Sequence, residues 1–384
     1  MILNYYWQVF PYTIVGFLAI GLLVALSNYF FIRRFDEFSI AQNFPRVSVL
    51  VPARNEEKNI KACVESLLAQ NYPDFEVLVL DDNSTDQTHV ILENISQRDA
   101  RLKIFQGKPL PSGWLGKHWA CHQLAQKATG KLLLFTDADT RHAPNTLCDS
   151  ASALLAQHAD LVTAFPREEM VTWGERFTVP ILGFSIFCFF PMLLAEKFHL
   201  PAFSVTIGQF MLFRRSAFDA IGGYEAIRAH PVDDMVLGRN IITHGLHWKF
   251  MDATRHVSCR MYHNFSDAMN GFTKNIFAVF NHHILLYCIG WLWIAVSFVV
   301  PAFVLFNSFT SSNFSKPIAL AAVIEALLMI GLAYRRFRFP AYLVLLYPFS
   351  LLIFTWIAFR SLVYSFMGYG TWKGREIAPP AFKL

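Results

Sequence analysis

The chain has 384 residues, of which 54% are hydrophobic and 16% charged, with a formal net charge of +5. This apolar content lies above the range of ordinary soluble domains and points to a membrane. No run of Lys and Arg exceeds the group Arg335, Arg336 and Arg338, so the footprint of a nucleic-acid-binding protein is absent. Six cysteines (Cys63, Cys121, Cys148, Cys188, Cys259 and Cys288) show neither C-x-x-C spacing nor a paired arrangement. That excludes a disulfide framework or a zinc site and fits reduced thiols in a cytoplasmic domain.

Residues 1–32 carry no charge, and Tyr12 to Ile32 is long enough to cross the roughly 30 Å hydrocarbon layer. A basic start and a small-residue cleavage site are both missing, so the segment reads as an anchor, closed by Arg33 and Arg34, rather than a signal peptide. Those arginines place the following domain in the cytoplasm by the positive-inside rule.

Next come β-branched runs at Arg46 to Val51, Glu76 to Leu80 and Leu132 to Phe135, the first two separated by a helical pattern from Glu56 to Gln70. This rhythm predicts a mostly parallel sheet flanked by helices. Ligands bind such sheets beyond the carboxyl ends of the strands, which here run into Pro52–Glu57, Asp81–Asp86 and Asp137–Thr140. Val179 to Ala195, with Pro180 and Pro191, reads as a core helix, an interfacial helix or a membrane span. Near the C-terminus, Ile284 to Phe306 and Pro340 to Phe359 are uncharged spans, and Ile318 to Tyr334 is a shorter one interrupted by Glu325. Three C-terminal crossings follow, and the side holding the C-terminus stays open. The chain thus divides into an anchor (1–34), a cytoplasmic α/β domain (35–283), C-terminal transmembrane helices (284–367) and a tail (368–384).

The chemistry concentrates at the strand ends. Asp137 and Asp139 follow a buried strand, where oxygen ligands suit a hard divalent ion that neutralises a diphosphate leaving group. Alone, such a pair is as readily a solvated turn or a cap. The preceding strand ends in Asp81-Asp82-Asn83-Ser84-Thr85-Asp86, which can bond a base or ribose or form an Asx-rich turn, with Ser84 or Thr85 capping the next helix. The first ends in Val51-Pro52-Ala53-Arg54-Asn55-Glu56-Glu57, with Arg54 and Glu56 at the start of a helix.

At these spacings the three segments resemble the nucleotide-sugar half of glycosyltransferase family 2, the GT-A fold. The likeness continues through Gly116-Lys117 with Ala120, Arg214-Arg215 with Gly222-Gly223-Tyr224, and Val232-Asp233-Asp234 with Leu237 and Arg239. Trp372-Lys373-Gly374-Arg375 is similar to the tail of a membrane-bound subgroup that includes carotenoid-acid (diaponeurosporenoate), hopanoid-associated and ceramide glycosyltransferases. The resemblance implies a GT-A domain with transmembrane helices at both ends. It implies that Pro52, Arg54, Glu56 and Asp82 bind the nucleotide, with Asp137 beside the ribose and Lys117 near the diphosphate. It further implies that Asp139 holds Mg²⁺ or Mn²⁺, that Asp234 is the catalytic base, and that Asp233, Arg239 and Lys274 lie on the acceptor or phosphate side. The Q-x-x-R-W motif of polymer-making members is absent, the comparable stretch being Asn270 to Asn275, so one sugar per acceptor is expected.

The expected reaction is therefore inverting transfer of a sugar, glucose from UDP-glucose, to a lipophilic acceptor in the cytoplasmic membrane. A carboxylate acceptor needs no base, so Asp234 favours a hydroxyl, as on a carotenoid or another membrane lipid. The runners-up are transfer to a polyprenyl phosphate and a non-catalytic scaffold on the same fold. A nicotinamide dehydrogenase fails, because Pro-Ala-Arg-Asn-Glu stands where a glycine-rich turn is needed. A transporter fails because its spans would carry more polar residues than Glu325 and Arg360. His118 and His122, four apart on a helix, are expected at the surface or in packing.

Overall fold

The computed structural model describes residues 2–230, 232–280, 282–306, 314–367, 371–372 and 375–376. The chain starts with α1 (Ile2–Phe31) and β1 (Arg33–Arg34). It continues with β2 (Val47–Ala53), α2 (Ile60–Leu68), β3 (Phe75–Asp81), α3 (Thr88–Ser96), β4 (Leu102–Gln106) and α4 (Gly116–Lys127). Then come β5 (Leu132–Phe135), β6 (Thr140–His142), α5 (Thr146–Ala156), β7 (Leu161–Phe165) and β8 (Arg167–Glu168). The helices α6 (Trp173–Phe189) and α7 (Met192–Lys197) precede β9 (Met211–Arg214), α8 (Arg215–Ala220) and α9 (Asp233–Thr243). After β10 (Trp248–Asp252) and β11 (Val257–Cys259) the chain is helical, with α10 (Phe265–Val279), α11 (Ile284–Phe306), α12 (Lys316–Arg336) and α13 (Tyr347–Phe366). The segment 372–375 lies largely outside the described residues, as does most of the Ser-rich loop that precedes α12.

Two compact units result, one of Ile32–Glu169 with Met192–Met261, the other containing α1, α6 and α10 to α13. The first is built on an eight-stranded sheet ordered β1-β10-β7-β9-β5-β2-β3-β4. Every pairing is parallel except those of β9 with β5 and β7. Every residue of β3, β5 and β7 is buried, as is all of β2 except Pro52. Apolar runs without alternation are what a parallel sheet covered on both faces requires, and each fully buried Val or Leu contributes roughly 1.5–3 kcal/mol. A second sheet, β6-β11-β8, is small.

In the other unit, α1, α11, α12 and α13 are long and apolar enough to cross a membrane. The last of them starts at Tyr347 rather than Pro340, and a short 3₁₀ turn, Ala341–Val344, precedes it. Pro348 therefore falls in the first helical turn, where its missing N–H breaks no bond, and it does not bend the segment. The stretch expected from Val179 to Ala195 is two helices, broken at Phe190-Pro191. α6 opens with a capping box in which Thr172 Oγ1 accepts from Glu175 N and Glu175 Oε2 accepts from Val171 N at 2.6 Å. It packs among α1, α10, α12 and α13. Its last carbonyls are closed by the buried Asn28 of α1, whose Nδ2 donates to Phe187 O and Phe190 O, both at 2.8 Å.

Candidate active site

The register of the sheet aligns the polar strand ends. Ala53 at the end of β2 lies opposite Asp81 at the end of β3, and Phe135 at the end of β5 lies opposite Leu50. Beyond β2 the chain does not enter a helix at once, as the sequence led us to expect; α2 begins only at Ile60. The reason is an interlock between two loops. Asn55 takes a left-handed conformation (φ 53°), its Oδ1 accepts from Thr85 N at 2.8 Å, and its own N–H donates to Ser84 Oγ at 3.0 Å. Ser84 and Thr85 thus brace Asn55 instead of capping α3, and Asp86 Oδ1 accepts from Thr88 N at 3.0 Å. Arg54 donates through Nη1 to the carbonyl of Asp82, so Arg54 and Asp82 form one ledge. Glu56 joins it, its N–H donating to Thr88 Oγ1 at 2.8 Å.

Past β5, Asp137 and Asp139 sit in a tight turn closed by Thr140 Oγ1, which donates to Asp137 O at 2.8 Å. Lys117, in the first turn of α4, places Nζ 2.6 Å from Asp137 Oδ1. Asp139 is different: its Oδ1 is buried and without a hydrogen-bond partner. Burial, then the charges of Asp137 and Glu56, push its carboxyl up to about 7. An unpaired, buried carboxylate oxygen next to a second acid is a favourable place for a hard divalent cation, so the residues present fit one. Among the described residues no cluster of three or more His, Cys, Asp or Glu could hold a metal without further ligands.

Asp233 and Asp234 occupy the first turn of α9. Asp233 Oδ2 accepts from Tyr224 OH at 3.3 Å and lies 3.8 Å from His118 Nε2. Burial raises the Asp233 carboxyl, but Lys117 and His118 outweigh it and hold it well below the usual range. Asp234 takes two backbone donors, Met235 N to Oδ1 at 2.7 Å and Gly208 N to Oδ2 at 3.1 Å. Burial, then the charge of Asp233, nevertheless lift it to about 7. Gly208 marks where the groups meet: a Cβ there would lie 3.4 Å from Lys117 Nζ and 3.5 Å from Asp234 Oδ2. Despite its burial, Lys117 stays charged because Asp137 and Asp233 hold it well above its ordinary value.

Lys117, Asp137, Asp139, Asp233 and Asp234 are thereby coupled, with Arg54, Glu56 and Asp82 on the adjoining ledge and Pro52 in the last turn of the β2 ladder. Arg239 lies further along α9 with its Nε buried and unpaired. Lys274 is on α10, in the other unit. Sequence reasoning overlooked three participants. His118, expected only at the surface or in packing, faces Asp233; Gly208 holds Asp234; and Gln209 beside it donates to the buried Glu168 Oε1 at 3.2 Å. The one local signal was a polar Gly-Gln pair inside the apolar run Val205 to Phe213.

Residues 48–222 match the family model of glycosyl transferase family 2. A beta-monoglucosyldiacylglycerol synthase of Nostoc sp. is 31% identical over 137 residues, which are 35% of this chain and 28% of that protein. A 4,4'-diaponeurosporenoate glycosyltransferase of Staphylococcus aureus is 25% identical over 246 residues, 61% of either chain. The matched stretches therefore span less than two thirds of these relatives. Among solved structures, a mannosyltransferase of Pyrobaculum calidifontis, in complex with GDP-Man and Mn²⁺, superimposes with a TM-score of 0.52. It is 18% identical, and the match covers 92% of this chain and 98% of that one. The mixed, mostly parallel sheet with its flanking helices is a GT-A fold, and its segment 48–222 is similar to glycosyl transferase family 2.

Proposed function

We propose that this protein is a membrane-embedded glycosyltransferase that moves one sugar from a nucleotide-sugar to a hydroxyl of a lipophilic acceptor, with inversion. The observation that carries the reading is the coupling of Asp234 to the Lys117–Asp137–Asp139 cluster through Gly208. Arg54, Glu56 and Asp82 supply the ledge for the nucleotide, and Lys117 a cation for its diphosphate. Asp137 and Asp139 would hold Mg²⁺ or Mn²⁺, which offsets charge on the departing diphosphate when bound. The solved mannosyltransferase binds Mn²⁺ with its nucleotide-sugar, which supports that choice.

Asp234 accepts the acceptor's proton as the new bond forms. Its raised carboxyl suits the task, since a general base works best with a pKa near the operating pH. Burial raises it first, and Asp233, kept ionised by Lys117 and His118, adds to the rise. A lipophilic acceptor is supported by the four apolar helices and by the lipid acceptors that the two curated relatives' names state. Arg33 and Arg34 after α1 support a catalytic unit on the cytoplasmic side, where nucleotide-sugars are made. Glucose and a carotenoid or diacylglycerol-type acceptor are the first pair to try.

The test is transfer from radiolabelled UDP-glucose, and then other nucleotide-sugars, into organic-extractable product by membranes carrying the protein, with and without EDTA. Lipid-phase label that needs metal and vanishes in Asp234→Asn establishes the reaction. Absence of such label with every donor and lipid extract tried sinks it.

A further inference from the structure

A second unpaired carboxyl oxygen lies on the small sheet, two strands from the one that begins next to Asp139. Glu168 on β8 is 4% exposed, its Oε1 accepts from Gln209 Nε2 at 3.2 Å, and its Oε2 is buried with no partner. Leaving such a group unsatisfied is costly, and a fold tolerates it where a ligand completes the bond.

The small sheet fixes where this oxygen is. Cys259 on β11 pairs with Thr140 on one side and with Glu168 on the other, so these three side chains share a face. Thr140 follows directly on Asp139, and two strand spacings, about 10 Å, separate its backbone from that of Glu168. Gln209 ties this face together: its Nε2 also donates to Cys259 Sγ at 3.3 Å, and its carbonyl accepts from Thr136 Oγ1 at 2.7 Å. The neighbouring Gly208 holds Asp234. The tetrapeptide Ile207 to Phe210 therefore runs from the base to Glu168, past the turn that bears Asp137 and Asp139.

We propose that Glu168, oriented by Gln209, binds a hydroxyl of the sugar being transferred and so helps select the donor. The inference rests on the glycosyltransferase reading above. A sugar whose anomeric carbon sits between the acid pair and Asp234 projects its ring hydroxyls over this face. A carboxyl oxygen that no donor in the fold reaches can accept from such a hydroxyl, which is the complementary pattern. Removing it leaves the nucleotide ledge of Arg54, Glu56 and Asp82 untouched.

The experiment is calorimetric titration of the full-length protein in detergent micelles with Mn²⁺ and UDP-glucose, UDP-galactose, UDP-N-acetylglucosamine or GDP-mannose. Each donor is set against its bare nucleoside diphosphate. For the donor that wild type binds best, Glu168→Ala is expected to weaken binding about tenfold while leaving the nucleoside diphosphate within twofold. Glu168→Gln, which keeps an acceptor for Gln209 and a donor at the unpaired position, is expected to stay within threefold for both. Equal losses for nucleotide and nucleotide-sugar, or no loss in either, overturn the assignment and leave Glu168 a packing residue. A wild type that binds none of the four donors overturns the glycosyltransferase reading and this inference with it.

Discussion

The backbone N–H of Gly208 donates to Asp234 Oδ2 at 3.1 Å, and a Cβ at Gly208 would also touch Lys117 Nζ. One glycine thus carries both halves of the site. It aims the acid at the start of α9 and leaves room for the lysine that partners Asp137.

Asp234→Asn should lower kcat by about 10²–10⁴-fold, the usual range for a positioned base, with little change in donor KM. The same substitution relieves the repulsion from Asp233 but turns one of two backbone acceptors into a donor, so a small drop in the thermal midpoint is expected. Initial rates and a melting curve on one preparation check both. An unchanged kcat would remove Asp234 from the mechanism.

The rate should fall on the acid side as pH drops through about 7, because the base must be deprotonated and burial with Asp233 lifts its carboxyl that far. Asp233→Asn removes a negative neighbour and leaves Lys117 nearer to Asp234 in charge balance. Both effects favour the ionised form. The acid limb should therefore move to lower pH, whatever happens to the maximal rate. A pH–rate profile of the variant that does not shift, or shifts upward, contradicts this arrangement.

Chelation should abolish transfer, and Mn²⁺ or Mg²⁺ should restore it. Asp139→Asn should weaken the metal-dependent part of nucleotide binding while leaving the metal-free part unchanged, because its unpaired oxygen makes no bond within the fold. Nucleotide titrations with and without Mn²⁺ separate the two.

Gly238→Ala should destabilise the catalytic unit by about 1–3 kcal/mol, since the new methyl would lie 1.9 Å from Thr206 Oγ1 within α9. Thr206→Ala alone should be nearly neutral, as that hydroxyl has no hydrogen-bond partner, and the double variant should recover part of the loss. Denaturation midpoints of the three variants decide.

Asn28→Leu should destabilise the helical unit by about 1–3 kcal/mol, because the carbonyls of Phe187 and Phe190 lose their donor in an apolar setting. Thermal denaturation in detergent, with Asn28→Gln as the conservative comparison, reads this out.

Much of this protein is determined locally, and those parts were legible. The strand ends, expected at Val51, Leu80 and Phe135 and found at Ala53, Asp81 and Phe135, follow from apolar runs that stop at polar residues. The membrane-length helices follow from uncharged stretches whose length a bilayer dictates. Chain-local reasoning failed where a distant segment supplies the partner. α2 begins at Ile60 rather than Glu56 because the loop around Ser84 and Thr85 holds Asn55 out of helical geometry. The ionisation of the acids is likewise a property of the assembled site. Neighbours in sequence, Asp233 and Asp234 differ because Lys117 and His118 of α4 hold one down while burial and the charge of Asp233 lift the other. Glu168 was invisible for the same reason: a lone acid near a strand end acquires meaning only when Gln209 binds one oxygen and burial strands the other. Sequence alone determined the three strands with acid-rich ends and the membrane-length apolar stretches, because periodicity and chemistry act within a few residues. Only tertiary structure decided which acids are charged and which polar atoms await a ligand, because desolvation and Coulomb forces act between residues that the chain separates widely.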